Sequence, residues 1–150
     1  EAAQQSDYKG GDNRIDADYR LAELGVAAMG VTVKLGYELL GADTFSGFET
    51  PLATKHAYNG WADVFLNTPV NGLEDVYASV GGAFMGVNLV AVYHDYSADV
   101  GGADYGSEWN LMATKKFGKH YDAGIKYASY DADGFSVDTD KLWVWAGFSF

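Results

Sequence analysis

The stretch VTVKLGYEL, residues 31–39, decides the fold, because apolar and polar residues alternate along it. Its odd-numbered positions hold only Val, Leu and Tyr, whereas its even-numbered positions include Lys34 and Glu38. Successive side chains of a β-strand point to opposite faces, so one face of this segment is apolar and the other is charged. A lysine and a glutamate on one face both require water. The segment is therefore predicted to be a strand with one wet face and one apolar face.

The same period of two recurs along most of the chain. It appears in EDVYASVGGAF (74–84), VNLVAVYHDY (87–96), SEWNLMATKKF (107–117), YDAGIKYASY (121–130) and KLWVWAGFSF (141–150). In NRIDADYRLAELGVAAM (13–29) the alternation is less regular, because the charged Glu23 falls on the same strand face as Tyr19 and Leu21. We therefore expect a β-bulge that shifts the register there. AAQQSDY (2–8) reads as the end of one more strand. We predict about eight strands of about 10–12 residues, which exceeds the usual length of about 5–6.

The connections between these strands alternate in length. Three are short, namely MG at 29–30, MG at 85–86 and FGKH at 117–120, and four are long, namely KGGDNR (9–14), 42–72, SADVGGADYG (97–106) and DADGFSVDTD (131–140). Short turns at one end and long loops at the other are typical of outer-membrane barrels. The fold prediction is a single all-β domain over 1–150, an antiparallel up-and-down transmembrane β-barrel with short periplasmic turns and long extracellular loops.

Composition narrows the function classes. The formal net charge is −11, which argues against nucleic-acid binding, and the chain has no cysteine. Aromatic residues make up 15% of the chain, and those near strand ends predict girdles at the two membrane interfaces. The residues assigned to these girdles are Tyr93, Tyr96, Tyr105, Trp109, Phe117, Tyr121, Tyr127 and Tyr130. The alternative to an outer-membrane barrel is a soluble barrel that binds lipid and has its apolar face inside.

The polar faces are the first candidate site. If the apolar faces meet lipid, the lumen-facing residues are Lys34, Glu38, Asp75, Tyr77, His94, Glu108, Asn110 and Lys126. In a wide barrel they would line a water-filled channel and bias permeation by charge. In an eight-stranded barrel they would pack against one another and leave no channel. The sequence leaves both the water-filled channel and the packed interior open.

The long loop holds a second candidate, at HAYNGWADVFL (56–66), with His56, Trp61 and Phe65 as mouth-loop residues. Near-helical spacing of its apolar residues predicts a short helix at or inside the barrel mouth, and a surface loop is the alternative. Asp131, Asp133, Asp138 and Asp140 are weak candidates for Ca²⁺. No cofactor is expected. No catalytic motif is present and the histidines are scattered, so we expect no enzyme activity.

Residues 50–99, above all TPLAT, HAYNGWADVFL and AVYHDYSAD, resemble the C-terminal part of bacterial outer-membrane porins of the alginate-export type. The similarity continues through DYGSEWNLMATKKFGKHYDAGIKYASYDAD to the end of the chain. The resemblance implies passive transport of small solutes or anionic saccharides across the outer membrane. It also implies contacts with membrane lipid, lipopolysaccharide and the outer-membrane assembly machinery, and either a portion of a larger barrel or a reduced one. A different reading is a small structural protein that self-associates through its strand edges and has no pore.

The closing strand resembles the terminal signal that the assembly machinery recognises, with an aromatic residue last and apolar residues at alternate positions before it. Val144, Ala146, Phe148 and Phe150 match this pattern. The same four residues are predicted to face lipid.

Removal of Phe150 is therefore expected to impair membrane insertion far more than it disturbs any solute site. The fraction of protein that reaches the outer membrane in cells measures this. Normal insertion of the shortened chain would contradict the assembly-signal interpretation.

Overall fold

The computed structural model describes residues 1–9, 11, 15–43 and 46–150. It contains one eight-stranded antiparallel sheet in which every strand pairs with its neighbours in sequence, which confirms the predicted all-β, up-and-down fold. The strands are β1 (Ala2–Ser6), β2 (Asp16–Ala28), β3 (Val31–Leu40), β4 (Leu73–Phe84), β5 (Val87–Ser97), β6 (Asp104–Phe117), β7 (Tyr121–Ala132) and β8 (Thr139–Phe148). Within the described residues the helical structure is one 3₁₀ turn, Lys55–Ala57, and no helix there is long and apolar enough to cross a membrane.

The turns explain why the strands follow one another so closely. Met29 and Gly30 have φ values of 51° and 79°, and Met85 and Gly86 have 50° and 76°. Positive φ at both central residues of a two-residue turn matches the right-handed twist of the flanking strands. The connections over 41–72, 98–103 and 133–138 lie at the opposite end of the sheet, as predicted. The loop KGGDNR and the start of the strand predicted over 13–29 fall partly outside the described residues.

The expected bulge in β2 is absent, and that prediction was wrong. Pairing of β2 with β3 runs without a shift from Tyr19 to Ala28. Glu23 therefore lies on the inner face, where Lys34 neutralises it at 2.8 Å and the Tyr77 hydroxyl donates to it at 3.0 Å. A shift does occur elsewhere, between β5 and β6, where Tyr96 pairs with Gly106 but Ser97 pairs with Asp104.

The two faces of the sheet have opposite chemical character. Apolar side chains are exposed on the outer face, where the register sets Leu24, Leu35 and Ala78 side by side. The exposed set also includes Val31, Val33, Val76, Val80, Leu89, Leu111, Ile125, Leu142 and Val144. Charged and polar side chains are buried on the inner face. Glu38, Asp75, His94, Glu108 and Asn110 retain between 0% and 8% of their accessible surface. This distribution is the reverse of a soluble barrel with an apolar interior.

The hydrophobic core lies on the inner side of the sheet, under the long loop between β3 and β4. We call this loop, residues 41–72, the plug loop. Its Phe65 is 6% exposed and packs against the rings of Tyr96, Tyr105, Tyr130 and Phe135, with centroids 4.5–6.0 Å apart. The aromatic core thus joins the loop to the inner faces of β5, β6 and β7.

Within the described residues the sheet has two edge strands, β1 and β8. No pairing or close backbone approach joins β1 to β8 in that part of the chain. At its C-terminal end β8 is held only from the β7 side, where the Ser149 amide donates to the His120 carbonyl at 2.9 Å. Backbone groups along the other side of β8 are free to pair with another strand.

Substitution Phe65→Ala is expected to lower the free energy of unfolding by about 3–5 kcal/mol, because it empties the centre of the aromatic core. Denaturant titration of the folded chain, followed by near-ultraviolet circular dichroism, measures the loss. The matched control is Leu66→Ala at the neighbouring, 39% exposed position, where we expect a change of about 0.5 kcal/mol. Equal losses in the two variants would contradict the assigned core.

Candidate functional site

The plug loop enters the concave face of the sheet and crosses it. On one side the Glu49 amide donates to Gln5 of β1 at 2.8 Å, and the Gly41 amide donates to the Asp18 carbonyl of β2 at 2.7 Å. Further along, the loop contacts β6, β7 and β8. Contacts at both ends of the strand order require the sheet to curve around the loop, so the loop fills space that a curved sheet would otherwise enclose.

The first group of contacts joins the loop to carboxylates on β3 and β4. Asn59 donates to Glu38 Oε2 at 2.9 Å and to Asp75 Oδ2 at 3.3 Å. Glu38 also accepts from the Tyr19 hydroxyl at 2.8 Å. His94 Nδ1 lies 2.9 and 3.0 Å from the two oxygens of Asp75. Because a carboxylate only accepts, the hydrogen of neutral His94 belongs on Nδ1. These polar groups therefore hold one another in place within the interior.

The second group is built around a tight backbone turn. Gly60 has a φ of 87°, and a Cβ there would meet the Tyr96 hydroxyl and the Glu108 carboxylate. Only glycine fits this close approach without strain. The turn presents the Ala62 amide to Glu108 Oε1 at 2.8 Å and the Trp61 amide to Asn110 Oδ1 at 3.2 Å. Buried side chains of β6 thus satisfy backbone donors of the loop.

A third group joins the loop to β7 and β8. His56 Nδ1 contacts Asp63 Oδ1 at 2.5 Å, and Lys126 Nζ contacts His56 Nε2 at 2.5 Å. Lys141 donates to Asp63 Oδ2 at 2.8 Å. The Lys126 ammonium also lies over two indole rings, 5.1 Å from the Trp61 centroid and 4.4 Å from that of Trp143. Attraction between an ammonium and an aromatic face adds to these hydrogen bonds.

Asp63 is a loop carboxylate whose ionisation is coupled to these contacts. Partial burial alone would raise its pKa, but hydrogen bonds from Lys141 and His56 outweigh burial and lower the pKa below its ordinary 3.8. A lowered folded-state pKa means that the contacts stabilise the folded loop fully above the ordinary carboxyl pKa. That contribution is lost as the pH falls through the lowered folded-state value.

All eight residues predicted to face the lumen lie on the inner face, and the plug loop brings five of them together. Glu38, Asp75, Glu108, Asn110 and His94 are buried beneath or beside the loop. Lys126 contacts the loop through His56, whereas Lys34 and Tyr77 meet at Glu23 on the side away from the long loops. The three mouth-loop candidates also lie inside. His56 and Trp61 bracket Lys126, and Phe65 fills the core.

Two details of the predicted site were wrong. Of the two alternatives left open for residues 56–66, the short helix is wrong: helical structure there is limited to the 3₁₀ turn Lys55–Ala57, because positive φ values of 52° at Asn59, 87° at Gly60 and 60° at Asp63 interrupt any helical continuation. The girdle assignment also failed for Tyr96, Tyr105 and Tyr130, which are buried.

The failed girdle positions have separate physical causes. Tyr96 and Tyr130 share the parity of the inward residues His94 and Lys126, so alternation alone places them inside. Tyr105 sits at the register shift between β5 and β6, which turns it inward. Sequence reasoning also missed Glu23, Asn59, Gly60, Asp63 and Lys141. Lys141 shares the parity of Trp143, which is a signal for an inward position.

The acidic loop residues do not converge. The Asp138 carboxylate accepts from the Ala132 amide at 2.9 Å, and Asp140 accepts from the Tyr127 hydroxyl at 2.7 Å. Across the described residues no group of three or more His, Cys, Asp or Glu side chains is arranged to hold a metal ion, including the four Ca²⁺ candidates. His94 pairs with Asp75, while the adjacent Asp95 is exposed on the outer face.

A cavity of about 500 Å³ adjoins the plug loop, and we call it the chamber. The loop contributes one side of it with Tyr58, Asn59 and Trp61. The strands contribute the rest, including Glu23, Lys34, Glu38, Asp75, Tyr77 and His94. The chamber therefore has charged and aromatic side chains among apolar ones such as Leu21 and Val92, and it lies where a curved sheet would enclose its lumen.

No protein-family model matches the chain, and no curated protein or solved structure shows significant similarity to it.

Substitution Asp63→Asn is expected to loosen the plug loop, since it removes the charge that binds Lys141 and His56. Limited trypsin digestion reports this as faster cleavage after Lys55, which lies in the loop. Asp133→Asn, in the β7–β8 connection, removes the same charge away from the plug loop and is expected to leave the cleavage rate unchanged. Wild-type cleavage at Lys55 should also accelerate as Asp63 becomes protonated, measured with an acid-active protease below about pH 4. Unchanged digestion of the Asp63 variant would contradict its anchoring role.

Proposed function

We propose that this chain forms part of the wall of an outer-membrane β-barrel of the porin type. In this proposal the inner face lines a path for passive movement of small solutes, and the plug loop narrows that path. The chain acts as a transport protein and not as an enzyme. Its partners are membrane lipid, lipopolysaccharide and the assembly machinery that inserts outer-membrane barrels.

The observation that carries the proposal is the inverted distribution of side chains. An outer face covered with exposed valine, leucine and isoleucine is unfavourable in water but suits the hydrocarbon region of a bilayer. Buried Glu38, Asp75 and Glu108 on the inner face are costly in a conventional core but are typical of a polar barrel interior.

Aromatic residues on the outer face fit the same arrangement. Tyr37, Tyr93, Trp109 and Tyr127 lie toward the long loops, and Phe84, Phe117, Tyr121 and Phe148 lie toward the short turns. On β6, the eight residue steps from Trp109 to Phe117 span about 26 Å along the strand. A tilt of about 40° reduces this to about 20 Å, close to the apolar band of about 25 Å on outer-membrane barrels.

The two open edges set a requirement on this proposal. Unpaired backbone groups are not tolerated in the hydrocarbon region, so in the membrane β1 and β8 must pair, either with each other or with further strands. The resemblance to alginate-export porins belongs to the proposal as well, and it rests on the sequence motifs alone. A wider barrel would leave room for solute beside the plug loop.

A second candidate function is structural assembly without a pore. The free edge of β8, ten residues long, favours it, since such an edge pairs readily with another chain. The extensive contacts of the plug loop across the inner face also favour a closed interior.

Planar-bilayer recording of the detergent-folded chain separates the two candidates. The porin proposal expects discrete current steps. It also expects a larger unitary conductance when residues 55–66 are replaced by a Gly-Ser linker of equal length, because the loop then loses its anchors. Discrete steps are absent if the chain is only an assembly unit.

The matched control replaces residues 100–102, in the β5–β6 connection, by Gly-Ser-Gly. These residues are exposed and lie outside the chamber, so the unitary conductance should match that of the unaltered chain. An absence of current from the unaltered chain and from the plug-loop variant alike would contradict the porin proposal.

A further inference from the structure

We propose that the chamber binds small organic cations that carry N–H donors, with primary ammonium ions as its ligand class. The claim that such cations cross the membrane rests on the porin proposal. The claim that they bind in the chamber does not, and all residues that line the chamber are described.

Carboxylates outnumber ammonium groups in the lining of the chamber. Carboxylates of Glu23, Glu38 and Asp75 line the chamber, and the only lysine in its lining is Lys34. Negative charge therefore remains in the chamber even after the ion pair of Lys34 with Glu23 at 2.8 Å. A confined space with one sign of charge concentrates ions of the opposite sign.

One ring nitrogen of His94 is an acceptor without a partner among the described residues. His94 is nine-tenths buried, with 10% of its side-chain surface accessible, and it lines the chamber. Its Nδ1 faces Asp75, so Nε2 of the neutral ring carries the lone pair. No described residue bonds to that nitrogen. A ligand with an N–H donor satisfies it, whereas an anion that only accepts cannot.

Two of the side-chain donors that line the chamber are already engaged by its carboxylates. The Asn59 amide nitrogen donates to Glu38 and Asp75, and the Tyr77 hydroxyl donates to Glu23. The acceptors that the chamber offers a ligand include carboxylate oxygens and His94 Nε2.

Two other lysines of the inner face, Lys126 and Lys141, are held outside the chamber. Lys126 lies against His56, Trp61 and Trp143, and Lys141 pairs with Asp63. Neither lysine lines the chamber. The plug loop thus separates a basic region near β7 and β8 from an acidic chamber near β2 to β5. This separation disfavours anionic saccharide in the chamber, in contrast to the cargo that the alginate-export resemblance implies.

Under the porin proposal, we expect this binding to be weak and reversible. Permeation requires a site that attracts the solute but also releases it.

The test is a titration of the full, detergent-folded chain carrying ¹⁵N-histidine. Methylammonium chloride is added at about pH 8, where an alkylammonium ion is charged and an ordinary imidazole is neutral. The His94 Nε2 resonance is expected to move. Tetramethylammonium chloride, which has the same charge but no N–H donor, should leave it in place. The variants His56→Gln and His120→Gln assign the three histidine signals.

Substitution Glu38→Gln is expected to weaken methylammonium binding by about threefold, the effect of one unit charge at about 6 Å in a water-like dielectric. Glu23→Gln gives the same test if the first variant does not fold. The matched control is Glu74→Gln on β4, since Glu74 bonds to Tyr37 and Ser97 and does not line the chamber. Its binding should equal that of the unaltered chain.

Three outcomes would overturn the proposal: a stationary His94 resonance, an equal response to tetramethylammonium, or unaltered binding in both carboxylate variants. The bilayer recordings are independent of this titration. Current steps without methylammonium binding reject the ligand class and leave the porin proposal standing. Binding without current steps rejects the porin proposal and retains the site.

Discussion

The structure depends on the contact between the turn at Asn59–Asp63 of the plug loop and the buried polar side chains of the sheet. Without this turn, Glu38, Asp75 and Glu108 would lack several hydrogen bonds inside a concave surface. With it, loop amides and the Asn59 side chain donate to carboxylates on three strands. Hydrogen bonds to charged acceptors are stronger than those between neutral groups, and leaving a buried charge unpaired is costly. The loop and the polar inner face therefore stabilise each other.

This dependence explains why Gly60 lies at the centre of the turn. Its backbone passes so close to Tyr96 and Glu108 that a side chain would push the loop away from β5 and β6. The aromatic core around Phe65 lies on the same side of the sheet. Apolar and polar packing of the loop are thus not independent, and a change in one is expected to disturb the other. The outer face takes no part in this packing and remains available to lipid in the proposed function.

The contacts on the two sides of the plug loop differ in charge. Toward β7 and β8, lysines reach His56 and Asp63, whereas toward β2 to β5 carboxylates outnumber the one lysine. Under the porin proposal, a solute beside the loop meets different electrostatic environments on its two sides. The chamber on the acidic side is where a donor-rich cation finds the most acceptors.

The sequence by itself determined the strand count, the antiparallel order, the short turns and the faces of the strands other than β2, where the expected bulge is absent. These properties follow from local rules: a period of two sets the faces, and paired positive φ values at Met29–Gly30 and Met85–Gly86 suit the hairpins. The inward positions of Glu38, Asp75, His94 and Glu108 follow from the same alternation. Only the tertiary structure decided how the plug loop folds and which side chains it joins. Its path depends on distant partners such as Lys126 and Lys141, and on positive φ values that interrupt its helix-like spacing. The tertiary structure likewise decided that Tyr105 points inward. The register shift beside it overrides the alternation of side chains, and this shift arises from strand pairing rather than from the local sequence.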